Sequence, residues 1–247
     1  IALAAIKGKM NTTSGNEVDI LKEELVNAPV QFKPGLGDLV RALPESYLKG
    51  REFLQLPGIP DNEKARMMVI FSERNDKSIL DEVVQFLEHD EPQYRESAIS
   101  SLSKIAGVEY IPLLAELAST RSGKEQELAR EGIYRLPGRD IDSFILQKAA
   151  GSENESVLVE YIKAIGERII SSAGQVLIRT ANHENQNVRL ESYRSLANVG
   201  TSDHLGEFIN LLLKTGNSRE RQELERAVIF VATKEGTEKL STHEIVA

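Results

Sequence analysis

Hydrophobic residues recur with the period of an α-helix along most of this chain. The segment 92–105 shows the pattern clearly, with Ala98, Ile99, Leu102 and Ile105 at i, i+1, i+4 and i+7. On a helix these four side chains form one apolar stripe, which is the face that packs against a neighbour. The alternation of apolar and polar residues that is typical of strands is absent from the sequence. The pattern therefore predicts an all-α protein without a sheet.

The helices are predicted to come in pairs. Within a pair, a short turn joins a first helix to a second helix, and a polar loop leads to the next pair. The predicted pairs are about 61–73 with 78–88, 92–105 with 108–118, 124–136 with 140–150, 154–165 with 170–181 and 186–199 with 203–214, and a sixth first helix covers about 218–233. One such pair is marginal alone, so stacking of neighbouring pairs completes the core and predicts an α-α superhelix, that is, an α-solenoid.

Residues 1–60 lack this regularity. A helix is expected near residues 1–10 and another over about 19–27, but Pro and Gly interrupt the segment that follows. We therefore predict two parts. Residues 1–60 form an irregular, partly helical segment, and residues 61–247 form a right-handed solenoid of about five to six helical pairs.

The chain also repeats itself over a longer distance. The stretch EHDEPQYRESAISSLSKIAG reappears in register as NHENQNVRLESYRSLANVGT. His89 falls on His183 and Arg95 on Arg189, and the offset is constant (183 − 89 = 94 and 189 − 95 = 94). Three helical pairs span this distance, and the third and sixth pairs keep register only with a slip of one or two residues. Self-similar helical chains are typically stacks with an extended binding surface.

Composition removes several classes of function. The 247 residues carry a formal net charge of −8, whereas a nucleic-acid groove needs a basic stripe that neutralises phosphates. The sequence has no Cys, which excludes disulfides, thiolate metal sites and Cys nucleophiles. No apolar run approaches the ~18–20 residues that span a bilayer. We expect a monomer whose partner is another protein or a neighbouring domain, with no cofactor.

The two ends of the sequence suggest a fragment of a longer protein. The opening segment IALAAIKGKM starts without Met and has no basic n-region, which favours a cut inside a helix over a signal peptide. The closing segment EGTEKLSTHEIVA stops where a further helix of a stack should begin. Both features are expectations about the parent protein.

Three first helices carry a resemblance to a known family. YRESAISSLSKIAG, VRLESYRSLANVG and VLVEYIKAIGERI share an Arg or apolar residue, a small residue, spaced apolar residues and a Gly. This pattern resembles the HEAT repeat in its short, phycobilisome-lyase HEAT-like form, over about 61–234. In that family an Asp in the turn often packs against an Arg of the next unit. Here the turn residues vary, although Arg95 and Arg189 sit where the Arg members would.

The segment FINLLLKTGNSRERQELERAVIFVATK also resembles HEAT modules of large multidomain bacterial proteins. Such modules often lie beside a sugar-processing domain. If this chain is part of such a protein, the resemblance implies a periplasmic or secreted location. If it is not, a cytoplasmic location is expected.

The repeated His89 and His183 are the sharpest candidates for a metal site. They lie three pairs apart, roughly 30 Å at ~10 Å per helix layer, so one ion cannot use both. We interpret them as turn residues, and His204 and His243 as isolated. Arg95 and Arg189 are candidates for anion binding, but we favour pairing with a carboxylate of the adjoining loop or layer, such as Glu91 or Glu184.

The remaining candidates do not form a catalytic constellation. Asp140 with Asp142, and Glu125 with Glu127, are spaced i and i+2, so on a helix they point about 200° apart. Five tyrosines are candidates for a recognition surface: Tyr94, Tyr110, Tyr134, Tyr161 and Tyr193. The last two are expected to be half-buried between layers, with the hydroxyl at the rim. We predict no catalytic, cofactor-binding or metal-binding residue.

Three functions agree with this sequence. The first is a non-catalytic scaffold whose second helices line a concave face that binds a protein or a neighbouring domain. The second is an enzyme that resembles HEAT-like bilin lyases or DNA glycosylases. The third is a passive spacer between catalytic domains, which predicts a polar, evenly charged face. The architecture and the acidic charge favour the scaffold.

Overall fold

The computed structural model describes residues 2–12, 15–29, 35–44 and 46–234. Over these residues the chain forms helices and no strand. The fold is an all-α superhelix of repeated helical pairs, which confirms the fold class predicted from the periodicity. None of the helices described is both long and apolar enough to span a bilayer.

The N-terminal part is helical in short pieces. Its helices are α1 (Ala2–Thr12), α2 (Glu17–Asn27), α3 (Leu36–Leu39) and α4 (Gly50–Leu54), with a 3-10 turn at Val40–Ala42. Leu21 and Leu25 of α2 and Phe53 of α4 are fully buried. The segment is therefore packed by apolar side chains although its helices are irregular.

The first helices of the repeats agree closely with the predicted bounds. They are α5 (Asp61–Glu73), α7 (Pro92–Ile105), α9 (Gly123–Arg135), α11 (Glu155–Glu167), α13 (Gln186–Val199) and α15 (Ser218–Lys234). Pro92 is the first residue of α7, as predicted. Asn154 caps α11 because its side chain accepts from the backbone N–H groups of Ser156 and Val157.

The second helices are shorter than predicted, except α10, which extends one residue further at each end. They are α6 (Leu80–Phe86), α8 (Ile111–Thr120), α10 (Arg139–Gly151), α12 (Gly174–Thr180) and α14 (Leu205–Lys214). All except α10 are preceded by a 3-10 turn: Lys77–Ile79, Val108–Tyr110, Ser171–Ala173 and Ser202–His204. These tight turns take up residues that the apolar pattern had assigned to the helix itself.

The chain forms two compact units. The N-terminal unit contains Ile1–Tyr110 and Arg121–Gly132, and the C-terminal unit contains Ile111–Thr120 and Ile133–Ala247. Within the N-terminal unit, α5 packs against α7. Within the C-terminal unit, α13 lies between α11 and α15. The domain boundary predicted between residues 60 and 61 stays a prediction.

Close packing of first helices holds each unit together. In the C-terminal unit Ile162, Leu196 and Leu224 are fully buried, and burial stabilises each side chain of this kind by about 1.5–3 kcal/mol. Gly166 permits the approach of α11 to α13, because a Cβ there would lie 2.7 Å from Ser195 Oγ. Ser195 Oγ in turn donates to a backbone carbonyl of α11 at 2.8 Å.

Candidate functional site: grooves along the first helices

The repeated histidines are turn residues, as predicted. His89 Nδ1 accepts the backbone N–H of Glu91 at 3.0 Å, and His183 Nδ1 accepts that of Asn185 at 3.0 Å. Among the residues that the structure describes, no group of three or more His, Cys, Asp or Glu side chains is placed to hold a metal ion. His243 lies outside the described residues.

The repeated arginines join one first helix to the next. Arg189 of α13 donates from Nη2 to Glu220 Oε1 at 2.7 Å and from Nε to Glu220 Oε2 at 3.1 Å. Its Nη1 also donates to the backbone carbonyls of His183 and Glu184 at 2.8 and 2.7 Å. Because Arg189 donates to the Glu220 carboxylate, the pKa of Glu220 is lowered. We call this arrangement the forward joint.

The N-terminal unit contains the same forward joint. Arg95 of α7 donates from Nη2 and Nε to Glu125 Oε1 of α9, at 2.7 and 3.0 Å. It also donates to the carbonyls of His89 and Asp90. The prediction that these arginines order the stack is confirmed.

The partners suggested from sequence were wrong. Neither Glu91 nor Glu184 offers its carboxylate to the repeated arginine, because the Arg side chain extends along the helix to the following layer. The true partners are related by the shift with its one-residue slip (220 − 125 = 95). This one-residue slip was the sequence signal that could have related the two partner carboxylates to each other.

A second pair of arginines reaches back to the preceding helix end. Arg168 donates from Nη1 to the carbonyls of Ile133, Tyr134 and Leu136 at 3.1, 2.9 and 2.8 Å, and from Nε to Asp142 at 2.6 Å. The last carbonyls of a helix have no partner within the helix, so Arg168 satisfies groups that would otherwise need water. We call this the backward joint.

Arg74 makes the backward joint of the N-terminal unit. Its Nη2 donates to the carbonyls of Val40, Arg41 and Leu43 at 3.1, 3.2 and 3.0 Å. Arg74 and Arg168 are separated by the same 94 residues as the repeated histidines (168 − 74 = 94).

The residue after each of these arginines has a left-handed backbone. Asn75 has φ 58° and Ile169 has φ 53°, and they too are one repeat apart (169 − 75 = 94). Asn tolerates this conformation, whereas the β-branched Ile is strained there. The Ile169 side chain is 62% exposed, so packing does not compensate for this strain.

Tyr161 and Tyr193 are more deeply buried than expected. Each is only 2% exposed, so the prediction of half-buried rings with hydroxyls at the rim was wrong. Tyr193 Oη donates to the carbonyl of Ala181 at 3.2 Å and lies 3.3 Å from Glu220 Oε2. Burial, with Glu220 nearby, raises the pKa of Tyr193 to about 12. Tyr193 is thus part of the forward joint.

The carboxylate pairs considered from sequence do not converge. Asp142 pairs with Arg168, whereas Asp140 is exposed. Glu125 is buried in the forward joint, whereas Glu127 is exposed. Their i, i+2 spacing separates them as predicted.

Glu63 occupies the position of a joint carboxylate without an arginine. It is the third residue of α5, as Glu125 is of α9 and Glu220 of α15. Its carboxylate is 1% exposed, and Oε2 has no hydrogen-bond partner among the described residues. Burial raises the pKa of Glu63, although Arg66 opposes the shift. Sequence reasoning missed this residue because charge alone does not reveal burial.

A polar groove crosses the first helices of the C-terminal unit. Its volume is about 370 Å³. Val159 and Leu190 supply apolar contacts within it, and charged and amide side chains supply the rest. The residues that line it include Ser156, Val159, Glu160 and Lys163 of α11, Asn187, Leu190, Glu191 and Arg194 of α13, and Arg219 of α15. We call it the C-terminal groove.

Three successive first helices carry the same charge motif. The motifs of α11 and α13 line the groove, and that of α15 lies beside it, in contact with Arg194. Each has a Glu followed three residues later by a base, and we call these pairs the charge ladder. The ladder consists of Glu160–Lys163 at 2.8 Å, Glu191–Arg194 at 3.2 Å and Glu223–Arg226 at 3.6 Å. Arg194 also reaches Glu223 at 3.1 Å, which links two of the helices.

In every pair of the ladder the carboxylate lies deeper than the base. The exposed fractions of the side chains are 4% for Glu160 against 22% for Lys163, and 13% for Glu191 against 42% for Arg194. Desolvation raises the pKa of Glu191 even though Lys163 and Arg194 are near. The ladder therefore presents its cations to solvent and keeps its anions below them.

The N-terminal unit has a groove at the equivalent place. Its volume is about 350 Å³, and we call it the N-terminal groove. Six positions line both grooves at a shift of 94: 62 and 156, 65 and 159, 66 and 160, 69 and 163, 93 and 187, 97 and 191. The chemistry differs, because Val69 replaces Lys163 and Ser97 replaces Glu191. Arg66 replaces Glu160, and Arg41 also lines the N-terminal groove, so the groove is a repeated feature whose pairs of a carboxylate and a base belong to one copy.

Paired helices and repeated joints define an α-helical repeat protein. Residues 143–229 match the family model of HEAT repeats, the family that the first helices resemble in sequence. Over these residues the chain is similar to HEAT repeats. No curated protein matches the sequence.

Solved structures with similarity to this chain include engineered repeat proteins. One engineered protein from a structural genomics consortium shares 16% identity, with 93% of this chain and 71% of that chain covered and a TM-score of 0.48. A designed armadillo repeat protein shares 15% identity, with 75% of this chain and 100% of that chain covered and a TM-score of 0.38.

Proposed function

We propose that this chain is a non-catalytic scaffold that binds an extended segment of another protein, or of a neighbouring domain, in the C-terminal groove. HEAT-like repeats are typically of the protein-interaction type and non-catalytic. The observation that carries the proposal is the buried half of the charge ladder. Burial raises the pKa of Glu191, so keeping this carboxylate ionised is unfavourable, and groups perturbed in this way cluster at functional sites.

The choice of face differs from the one expected from sequence. The second helices of the C-terminal unit expose scattered polar and charged side chains, such as Gln147, Gln175, Arg179 and Lys214, and one large apolar residue, Leu213. A binding face is better supported where charged, amide and apolar groups converge on one concavity. The first helices of this unit meet that requirement.

The alternative functions, an enzyme or a passive spacer, require a surface of different chemistry. A DNA glycosylase needs a basic, aromatic-lined groove, and the residues that line the C-terminal groove include no aromatic side chain. A bilin lyase would bind bilin, and a passive spacer would bind nothing. These readings serve as outcomes of the test.

The proposal is tested by filling the groove. Peptides selected from a random display library on the wild-type chain would be titrated against Val159→Arg, which places a long side chain in the groove without removing a native hydrogen bond. We expect the affinity of groove-binding peptides to fall at least about tenfold, which is about 1.4 kcal/mol. Fluorescence anisotropy measures it.

The matched control is Gln175→Arg on α12, where the same side chain is added to the second-helix face. We expect no effect on binding. Loss of binding in Gln175→Arg alone would move the site to the second helices, as the sequence analysis expected. A chain that selects no peptide contradicts the scaffold, and binding of bilin or DNA at low salt would favour the enzyme reading.

A further inference from the structure

The exposed half of the charge ladder points to the chemistry of the partner. Lys163, Arg194 and Arg226 are the outer members of their pairs in α11, α13 and α15, with 22%, 42% and 75% of the side chain exposed. Their carboxylate partners are at most 15% exposed. A partner that approaches the ladder therefore meets its cations before its carboxylates, although the chain as a whole is acidic. The exposed Glu155 of the groove lining accepts a hydrogen bond from the Asn185 amide.

These cations keep unused hydrogen-bond donors. Lys163 has three N–H donors and gives one to Glu160. Arg194 has five and gives three, one to Glu191 and two to Glu223. The remaining donors are available for acceptors on a partner. Carboxylates suit them best, because hydrogen bonds between two charged groups are the strongest of this kind.

The spacing of the ladder fits an extended chain. Neighbouring packed helices lie about 8–10 Å apart. An extended chain in the polyproline II conformation advances about 3.1 Å per residue and turns once in three residues, so that every third side chain points the same way. Three residues of an extended segment thus cover one helix layer. A segment with a carboxylate at about every third residue would offer one to each of Lys163, Arg194 and Arg226.

The same observations disfavour a nucleic acid. The carboxylates beneath the cations would repel a continuous row of phosphates. The groove offers Val159 and Leu190 as its apolar surface, whereas single-stranded nucleic acids are bound by stacking on aromatic rings.

We infer that the occupant of the C-terminal groove is an extended, acidic protein segment whose carboxylates bind the outer cations of the charge ladder. The inference rests on the proposed function and names the class of partner that this groove accepts. The N-terminal groove lacks the ladder, and its Arg41 and Arg66 are each paired with a carboxylate, Glu73 and Asp38.

The test uses three peptides of about 12 residues, built on a Ser-Gly background with Glu, Gln or Lys at every third position. The variant Lys163→Gln/Arg226→Gln removes two outer cations and leaves Arg194 with both of its partners. The control Lys214→Gln removes one positive charge from the exposed end of α14. Circular dichroism melting checks that each variant is folded.

We expect the Glu peptide to bind the wild type at least tenfold more tightly than the Gln peptide, and addition of about 0.5 M NaCl to weaken it. The double variant should lose most of this preference, and Lys214→Gln should keep it. If the double variant kept the same preference for the Glu peptide as the wild type, the inference would be overturned.

The remaining outcomes separate the inference from the function on which it rests. Preferential binding of the Gln or Lys peptide, abolished by Val159→Arg, would keep the scaffold and overturn the acidic partner. Tighter binding of a single-stranded oligonucleotide in the groove would overturn it as well. Binding of none of these ligands, together with no peptide from the library, would overturn both proposals.

Discussion

The two compact units share their joints and differ in their grooves. Arg95 and Arg189 make the same forward contacts, and Arg74 and Arg168 the same backward contacts. At the groove, by contrast, the charge ladder is present in the C-terminal unit and absent from the equivalent positions of the N-terminal unit. Contacts that hold layers together are thus retained across the repeat, whereas the surface is free to acquire a different chemistry. Repetition by itself marks structure in this chain, and a difference between the repeats marks a candidate site.

The largest effect should come from breaking a forward joint. Arg189→Met leaves Glu220 buried without a cationic partner, which costs about 3–5 kcal/mol. In Arg95→Met the cost should be smaller, because Arg121 Nε lies 3.8 Å from Glu125 and remains as a partner. Urea unfolding followed by circular dichroism measures both. Equal losses would show that Arg121 does not support the N-terminal joint.

Glu220 and Glu63 occupy the same position in their helices. Replacing either with Gln should change the free energy of unfolding by a smaller amount, with opposite signs in the two cases. The pKa of Glu220 is lowered in the folded chain, so its contribution to stability is full above the unfolded pKa and is lost as the pH falls through the folded pKa. Glu220→Gln should therefore destabilise the chain at pH 7, by about 2 kcal/mol, since hydrogen bonds to a charged group are lost.

For Glu63 the pKa is raised, so stability is greatest below the unfolded pKa and is lost as the pH rises through the folded pKa. Glu63→Gln should raise the free energy of unfolding at pH 7, and the gain should disappear below about pH 4. Unfolding curves between pH 3 and pH 8 test both substitutions. A destabilised Glu63→Gln at neutral pH would mean that the carboxylate is paired after all.

The smallest effect concerns the left-handed residues. Ile169→Asn should stabilise the chain by about 1 kcal/mol, because Asn adopts a positive φ more easily than a β-branched residue. Asn75→Ile should destabilise it by a similar amount. Thermal unfolding of both variants tests the exchange. Ile169→Val, which keeps the β-branch, should leave the midpoint unchanged.

The sequence predicted the helices well because their signals are local. The apolar stripe in 92–105 and Pro92 at the start of that helix each act within one or two turns. The 3-10 turns before the second helices were missed, since the same apolar residues serve a 3-10 turn and the helix that follows.

The joints were predicted in kind but not in detail. The repeat of Arg95 and Arg189 indicated a stacking role, yet the partners lie about 30 residues away, and only packing brings them together. The groove was not predicted at all. Its lining is spread over three helices, and neither the burial of Glu191 nor the exposure of Arg194 can be read from a charge pattern.

Tyr193 gives the forward joint its own optical reporter. The chain has six Tyr and no Trp, so its near-ultraviolet absorption comes chiefly from phenol groups. A phenol with an ordinary pKa becomes phenolate near pH 10, but Tyr193 holds its proton until about pH 12. In an alkaline titration its absorbance change is therefore separated from that of solvent-exposed tyrosines. The pKa values of Tyr47 and Tyr161 are raised by burial as well, so the part of the late change that Tyr193→Phe removes is the part that reports on the forward joint.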